Sequence, residues 1–424
     1  MDVDRLVELR RTLHQCPEPG WCEFETTDHI VRALERRDHD DIFVGPDAIA
    51  SEHRGAVPPA EERAQWRERA REAGVSDDRL EDLAGGNTGA VAVLDRGGKP
   101  TVALRVDIDG LPRTESSSPE HRPTAEEFRS RNEGVMHACG HDAHAAIGVG
   151  VLEAVAESGF GGRLVVCFQP AEEVVGGGRA LAESGHLEDV DYLLALHVGL
   201  ENPTGTVVAG IDDFLAVAHL EARFAGAPAH AGGQPDRGEH AVQALAGAIE
   251  ALHGIPRHGE GLTRVNVGVV EGGTAPNIVP ETARLVGEVR GETTALRKYM
   301  ERRAEAAIEG SARAHGCSAT VEWPTAAPSA ESDAALATVV GEAAASVHGV
   351  DTVVPRDSLG GSEDATVPMR YVQQRGGLAC YVGIGTDHPG GHHTSTFDVD
   401  ERSIAHGVET ITETVERLER RHPL

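Results

Sequence analysis

The chain has 424 residues, enough for two domains with full cores, with 40% hydrophobic residues and a formal net charge of −30. Asp and Glu number 69 against 39 Lys and Arg, and the only lysines are Lys99 and Lys298, which excludes the clustered cationic surface that nucleic acid requires. No apolar run approaches the ~20 residues of a membrane span, and the opening MDVDRLVELRR lacks the charged-then-apolar order of an export signal, so a cytoplasmic protein with no membrane partner is expected.

Acidity without lysine reads as a halophilic surface, adapted to salt at which charges are screened within ~3 Å. Cys16, Cys22, Cys139, Cys167, Cys317 and Cys380 lie too far apart for a disulfide framework in such a chain.

The first segment predicts a helix with Leu6, Leu9 and Leu13 on one face and Asp2 or Asp4 as cap. Residues 45–85 change character: AEERAQWRERAREAG is charged and helical, SDDRLEDLAGGN ends at glycines, and the stretch reads as a surface insertion. Two apolar runs follow, Ala90–Leu94 and Thr101–Ile108, separated by a glycine turn. Then helix is expected over Asp142–Glu157, strand over Leu164–Phe168, helix after Gly178 and strand over Tyr192–Leu196. Such alternation predicts an α/β domain with a largely parallel sheet.

Past Phe214 the order changes to strand 217–224, helix 239–253, strands 264–270 and 283–290, helix 294–315 and strand 318–323. This βαββαβ sequence is that of a ferredoxin-like unit. PTAAPSAES then reads as a linker, after which α/β character resumes and closes on a helix bearing Ile404, Val408, Ile411, Val415 and Leu418. The expected division is a domain of residues 1–213 and 326–424, interrupted by a smaller one at 214–325.

Four segments carry chemistry, each in a loop or at a strand end, where open α/β sheets bind ligands. Cys139-Gly140-His141 lets a thiolate and an imidazole face one ion from a tight loop. Gln169-Pro170-Ala171-Glu172-Glu173 follows a predicted strand with adjacent carboxylates, one able to bind metal while the other faces a water. His197 ends the apolar YLLAL, and Gly390-Gly391-His392-His393 offers imidazoles behind glycines. Cys139, His141, Glu173, His197 and His393 together supply the thiolate, imidazole and carboxylate donors of one or two transition-metal ions. Glu172 remains as a carboxylate that need not ligate, the base a hydrolytic site needs and a structural zinc site does not.

These segments, with LRRTLHQCPEPGWCEFET, RVDIDGLP, MHACGHDAHAAIG, FQPAEE, FAGAPAHAG, GGTAPNIVP, GSEDAT and GHHTSTFDVDE, resemble the aminoacylase/carboxypeptidase-type metal-dependent amidohydrolases nearly end to end. The likeness is to the branch with Cys-Gly-His in its metal loop, which includes hippurate and auxin-conjugate hydrolases. It implies a two-zinc-exopeptidase-like catalytic domain with an inserted lid or dimerisation domain, and hydrolysis of an N-acyl amino acid, p-aminobenzoyl-glutamate foremost, the alternatives being a substrate of hippurate or N-acetyl type or a non-catalytic partner subunit. It makes Cys139, His141, Glu173, His197 and His393 the metal ligands, His393 rather than His392 by its distance from Phe397, and Glu172 the general base. His230 is implied to polarise the scissile carbonyl, and Asn277 and Arg290 to hold the substrate's amide and carboxylate.

Mn is the metal the branch suggests, with Zn or Co also suited to the donors. A homodimer through the lid domain is implied, and a homologous second subunit is the other possibility. The sequence departs from the wider family at Arg105-Val106-Asp107, where a His-x-Asp motif usually supplies a ligand. Asp109 is a candidate for orienting a ligand histidine, while Ser362-Glu363-Asp364 either borders the site or has Ser362 capping a helix.

Overall fold

The computed structural model describes residues 2–36, 40–388 and 390–422, and the chain divides into two compact units. The first comprises Met1–Asp212, Ala330–Leu359 and Asp364–Leu424; the second comprises Asp213–Ser329 together with Gly360–Glu363.

The first unit is built on an eight-stranded mixed sheet. Its order runs Asp41–Val44, Ala90–Asp95, Arg163–Gln169, Thr101–Asp107, Tyr192–Val198, Leu378–Ile384, Thr206–Val208, Thr352–Val354. The four central strands, from Arg163–Gln169 to Leu378–Ile384, are mutually parallel. They read as near-continuous apolar runs because both faces are covered, and their residues are buried along almost the whole length. The helix His141–Ala156 is apolar all round and almost wholly buried, packing against the sheet and against Arg402–Arg421. Gly148 permits its closest approach, since a Cβ there would stand 2.9 Å from Phe168 and 3.0 Å from Val106.

The N-terminal helix spans Val3–Gln15 and is capped by the Asp2 carboxylate accepting from the Arg5 amide. Leu6 and Leu13 are buried as the periodicity predicts, but Arg10 and His14 share their face, and Leu9 lies only partly buried. Arg10 pairs with Asp142 at 2.7 Å and Asp398 at 2.6 Å, and His14 lies between Asp142 and Glu115 at 2.8 and 2.9 Å.

Residues 45–85 form helices Ala60–Glu72 and Asp77–Asp82, which are exposed along most of their length and docked by a few buried residues. Trp66, Ala70, Val75, Leu80 and Leu83 pack with Cys22, Phe24 and Val135. The charged helix is docked by a single buried stripe of Trp66 and Ala70.

The second unit is a ferredoxin-like βαββαβ fold. Its antiparallel sheet runs Thr263–Gly272, Thr282–Gly291, Ala216–Ala225, Ser318–Glu322, and the short Ala326–Ala327 adds to Ala216–Ala225. Helices Ala241–His253 and Thr294–Ala314 pack on it through Ala244, Leu245, Ala248, Met300, Ala304 and Ile308. Among the described residues of the whole chain, no helix is long and apolar enough to cross a membrane.

Candidate metal centre

Three parallel strands deliver their C-terminal ends to one place. Asp107 ends the first, the Gln169–Glu173 loop follows the second, and His197 lies one residue before the end of the third. Between the first two in sequence comes the loop Met136–His141, which enters the helix His141–Ala156 through Gly140 at φ +84°. A side chain at Gly140 would also meet Val198 Cγ2 at 2.5 Å, so the turn requires glycine twice over. The amide of His393 donates to Ala138 O at 2.9 Å, tying the last loop to the first.

The thiol sulfur of Cys139 lies 3.5 Å from His197 Nε2 and 3.5 Å from His393 Nε2. His141 Nε2 lies 3.8 Å from Glu173 Oε1, and His393 Nε2 is 3.9 Å from Glu173 Oε2. Donor atoms of Cys139, His141 and His197 fall within 4.8 Å of one another, as do those of Cys139, Glu173 and His393. Glu172 joins a third such group with His141 and Glu173.

Second contacts aim the rings. His141 Nδ1 donates to Asp109 O at 3.0 Å and His197 Nδ1 to Val198 O at 2.7 Å, which turns each Nε2 toward the cluster. His141 Nε2 is buried without a hydrogen-bond partner. That orphaned atom, among soft and hard donors within 4.8 Å, is what a transition-metal ion would satisfy, so the residues fit such an ion. His392 is used differently. Its Nε2 accepts from the Leu200 amide at 3.0 Å and its Nδ1 faces Cys139 Sγ at 3.7 Å, so it serves as a donor toward the thiolate.

Electrostatics agree with a cation here. Burial opposes charge on His141, yet Asp107, Asp109 and Glu173 outweigh it and lift the imidazole to about 10. Burial and neighbouring imidazoles push His197 well below its usual range, and burial with His141 and Arg113 lowers His393, so both imidazoles are favoured in the neutral form a metal ion could use.

Beneath the ligands, two carboxylates hold the Glu172–Glu173 loop. Asp109 accepts from the amides of Glu172 and Glu173 at 3.1 and 3.0 Å, and Glu23 accepts from Ala171 at 2.8 Å. Ala171 takes φ +58°, and this grip pays for that strained turn. Burial and the Asp109 charge raise Glu23 well above the carboxylate range.

Arg105, standing where the wider family has a ligand histidine, is fully buried. It donates to Gln169 at 2.9 Å, Asp107 at 2.5 Å and Asp364 at 2.8 Å. Asp364 in turn accepts from the amides of Gly177 and Gly178.

His144 extends the network from Asp107 at 2.5 Å to the Val198 amide at 2.9 Å. Glu23, His144 and His392 escaped assignment from sequence, although all three lie inside the quoted motifs, while Asp364, in the stretch read as bordering the site, is placed against Arg105 and Gln169. Their partners are remote in the chain, so only the motif context marked them. Ser362 does not cap the helix Thr366–Gln374, which begins after Ala365; its hydroxyl accepts from Arg290 at 3.3 Å.

The remaining expected site residues belong to the second unit. His230 and Asn277 are brought side by side by the two-stranded ribbon Ala229–His230 with Ile278–Val279, and Ala231 N donates to Asn277 O. His230 is exposed, and its Nδ1 accepts from the amides of Gly232 and Gly233 at 3.1 and 3.0 Å, which leaves Nε2–H as the outward donor. Arg290 lies in the main sheet and is forked onto Glu288 at 2.8 and 3.0 Å.

A cluster of soft and hard donors with a further carboxylate beside it, at the strand ends of an α/β domain, defines a metal-dependent hydrolase. Residues 103–417 match the Peptidase family M20/M25/M40, and the chain belongs to that family. It is 42% identical to an indole-3-acetyl-aspartic acid hydrolase of Enterobacter agglomerans, covering 96% of this chain and 94% of that protein. It is 40% identical to a p-aminobenzoyl-glutamate hydrolase subunit of Escherichia coli, covering 97% and 95%. The crystal structure of an aminobenzoyl-glutamate utilization protein from Klebsiella pneumoniae superposes with a TM-score of 0.83 at 36% identity, covering 97% and 96%. The chain is an amidohydrolase related to enzymes of N-acyl amino acids, and it has the fold of that family.

Proposed function

We propose that the chain hydrolyses the amide bond of an N-acyl amino acid, p-aminobenzoyl-glutamate first, to the free acid and the amino acid. The observation that carries the reading is Glu172, a buried carboxylate held by Asp109 at its backbone and set among the donor atoms of His141 and Glu173. Cys139, His141, Glu173, His197 and His393 would hold one or two divalent ions, with Cys139 common to both donor triads; Mn is the first expectation, then Zn or Co. Such an ion supplies Lewis acidity to the scissile carbonyl and acidity to a water.

The chain's own residues do the rest. Glu172 takes a proton from the attacking water and returns it to the amide nitrogen as the C–N bond breaks. His230 presents Nε2–H to the developing oxyanion. Asn277 holds the substrate amide, and Arg290 shares its guanidinium between Glu288 and the substrate carboxylate. Glu172→Gln is expected to keep metal and lose at least ~100-fold in kcat, measured on p-aminobenzoyl-glutamate with metal content read in parallel. Turnover within a few-fold of the parent removes Glu172 from this role.

The greater identity to the indole-3-acetyl-aspartic acid hydrolase favours a second substrate, indole-3-acetyl-aspartate. Both candidates join an aromatic acyl group bearing an N–H donor to a dicarboxylic amino acid, so one site suits either.

A homodimer is supported by the second unit, whose edge strand Thr263–Gly272 leaves Val269 and Val270 exposed, with Ile278 exposed nearby in sequence. A homologous second subunit is the alternative, and light scattering of the purified chain distinguishes them. A cytoplasmic, salt-rich setting is supported by six buried cysteines free of disulfides and by the net charge of −30.

A further inference from the structure

A cavity of about 360 Å³ opens beside the donor cluster, lined by Leu200, Glu201, Ile211, Asp357, Ser358, Leu359 and His392, all in the first unit. That volume lies within the ~300–1,000 Å³ of small-molecule pockets. His392 forms one wall and faces Cys139 Sγ at 3.7 Å, so an occupant of the cavity lies one side chain from the donor cluster.

The wall is built with strain. Leu200 and Glu201 follow the strand carrying His197 and adopt φ of +52° and +62°, a left-handed pair that non-glycine residues avoid. The Leu200 amide is committed to His392 Nε2 at 3.0 Å, and the Leu200 carbonyl accepts from Asn202 at 2.9 Å. These bonds hold the turn so that Leu200 and Glu201 face the cavity.

Its chemistry is divided. Leu200, Ile211 and Leu359 supply apolar surface, while Glu201 and Asp357 are acceptors only. The Asp357 carboxylate already accepts from Ser358 N at 2.8 Å; the exposed Glu201 carboxylate has no hydrogen-bond or ion-pair partner among the described residues. Two carboxylates repel the dianionic amino-acid half of the proposed substrates, and the same acceptors suit an aromatic ring that carries an N–H.

We propose that this cavity is the acyl subsite, in which Leu200, Ile211 and Leu359 enclose the aromatic ring and Glu201 accepts its N–H. The proposal rests on the reading above that the chain cleaves an aroyl-type amino acid. Glu201 is therefore a residue that sets acyl specificity, and it takes no part in the bond breaking.

The test uses the metal-loaded full chain with p-aminobenzoyl-glutamate and benzoyl-glutamate, which differ only by the ring amine. The parent is expected to favour the amine by about fivefold in kcat/KM, the worth of one hydrogen bond. Glu201→Ala brings that ratio close to one, and Leu359→Trp, which fills the cavity, raises KM for both by about tenfold with metal content unchanged. A ratio that survives Glu201→Ala overturns the assignment, as does an unchanged KM in Leu359→Trp. If the parent cleaves neither compound, the functional reading fails on its own, and calorimetry with 4-aminobenzamide decides the cavity. Binding that Leu359→Trp abolishes retains it as an aryl-amine site; absent or unaffected binding overturns it.

Discussion

Asp109 shows how much one side chain can be asked to do. Its two carboxylate oxygens accept from the amides of Glu172 and Glu173, while its backbone carbonyl orients His141. Asp109→Asn keeps the shape but turns one acceptor into a donor facing an N–H, so the loop loses one of its two holds. Metal affinity is expected to fall ~10–100-fold, the usual cost of losing a ligand's support, in a competition titration against a chelator. An affinity equal to the parent's rules out this positioning role. Local spacing made Cys139, His141, Glu172 and Glu173 legible in the sequence, because each pair sits in one short loop. Arg105 was legible only as a missing histidine, since its partner Asp364 is 259 residues away and nothing local announces the ion pair.

At the scale of elements, the helix Val3–Gln15 is clamped to the metal loop through charge. Burial and Arg10 oppose protonation of His14, but Asp142 and Glu115 prevail and raise it to about 9 from an ordinary 6.5. Because its folded value is raised, the stabilisation is complete below about 6.5 and is lost as pH climbs through about 9. Glu115 runs the other way: burial opposes its charge, His121 and His14 overcome this, and it falls to about 2, so its contribution holds above 4.5 and is lost toward pH 2. The melting temperature is expected to decline between pH 7 and 9, by an amount worth a few kcal/mol, and His14→Gln to flatten that decline. An equally steep decline in the variant assigns it elsewhere. The same helix marks the limit of periodicity as a guide. Leu6 and Leu13 follow the pattern, but Arg10 displaces Leu9 from the buried face, because its partner Asp398 arrives from the far end of the chain. The central strands of the first unit were readable for the opposite reason, since runs such as Leu164–Phe168 are apolar without interruption and need no distant partner to explain them.

For the whole molecule, a formal charge of −30 sets the conditions of stability. Self-repulsion on this scale weakens as salt shortens the screening length. Raising KCl from 0.1 to 2 M, roughly from a ~10 Å to below a ~3 Å screening length, is expected to raise the melting temperature, about 1–2 °C for each kcal/mol of repulsion relieved. A melting temperature that falls with salt excludes the halophilic reading. The chain's path through the first unit has a separate consequence for biosynthesis. Strand Leu378–Ile384 lies in the sheet between Tyr192–Val198 and Thr206–Val208, and His393 follows it, so the sheet and the donor set both wait on residues made after the entire second unit. Until then a growing chain carries four of the five proposed donors beside an unpaired strand edge of Leu193, Leu194 and Leu196, a ready template for a neighbouring nascent chain. Ribosome-bound intermediates stopped short of Leu378 are therefore the species most prone to aggregate, and the ones on which a chaperone has most to do.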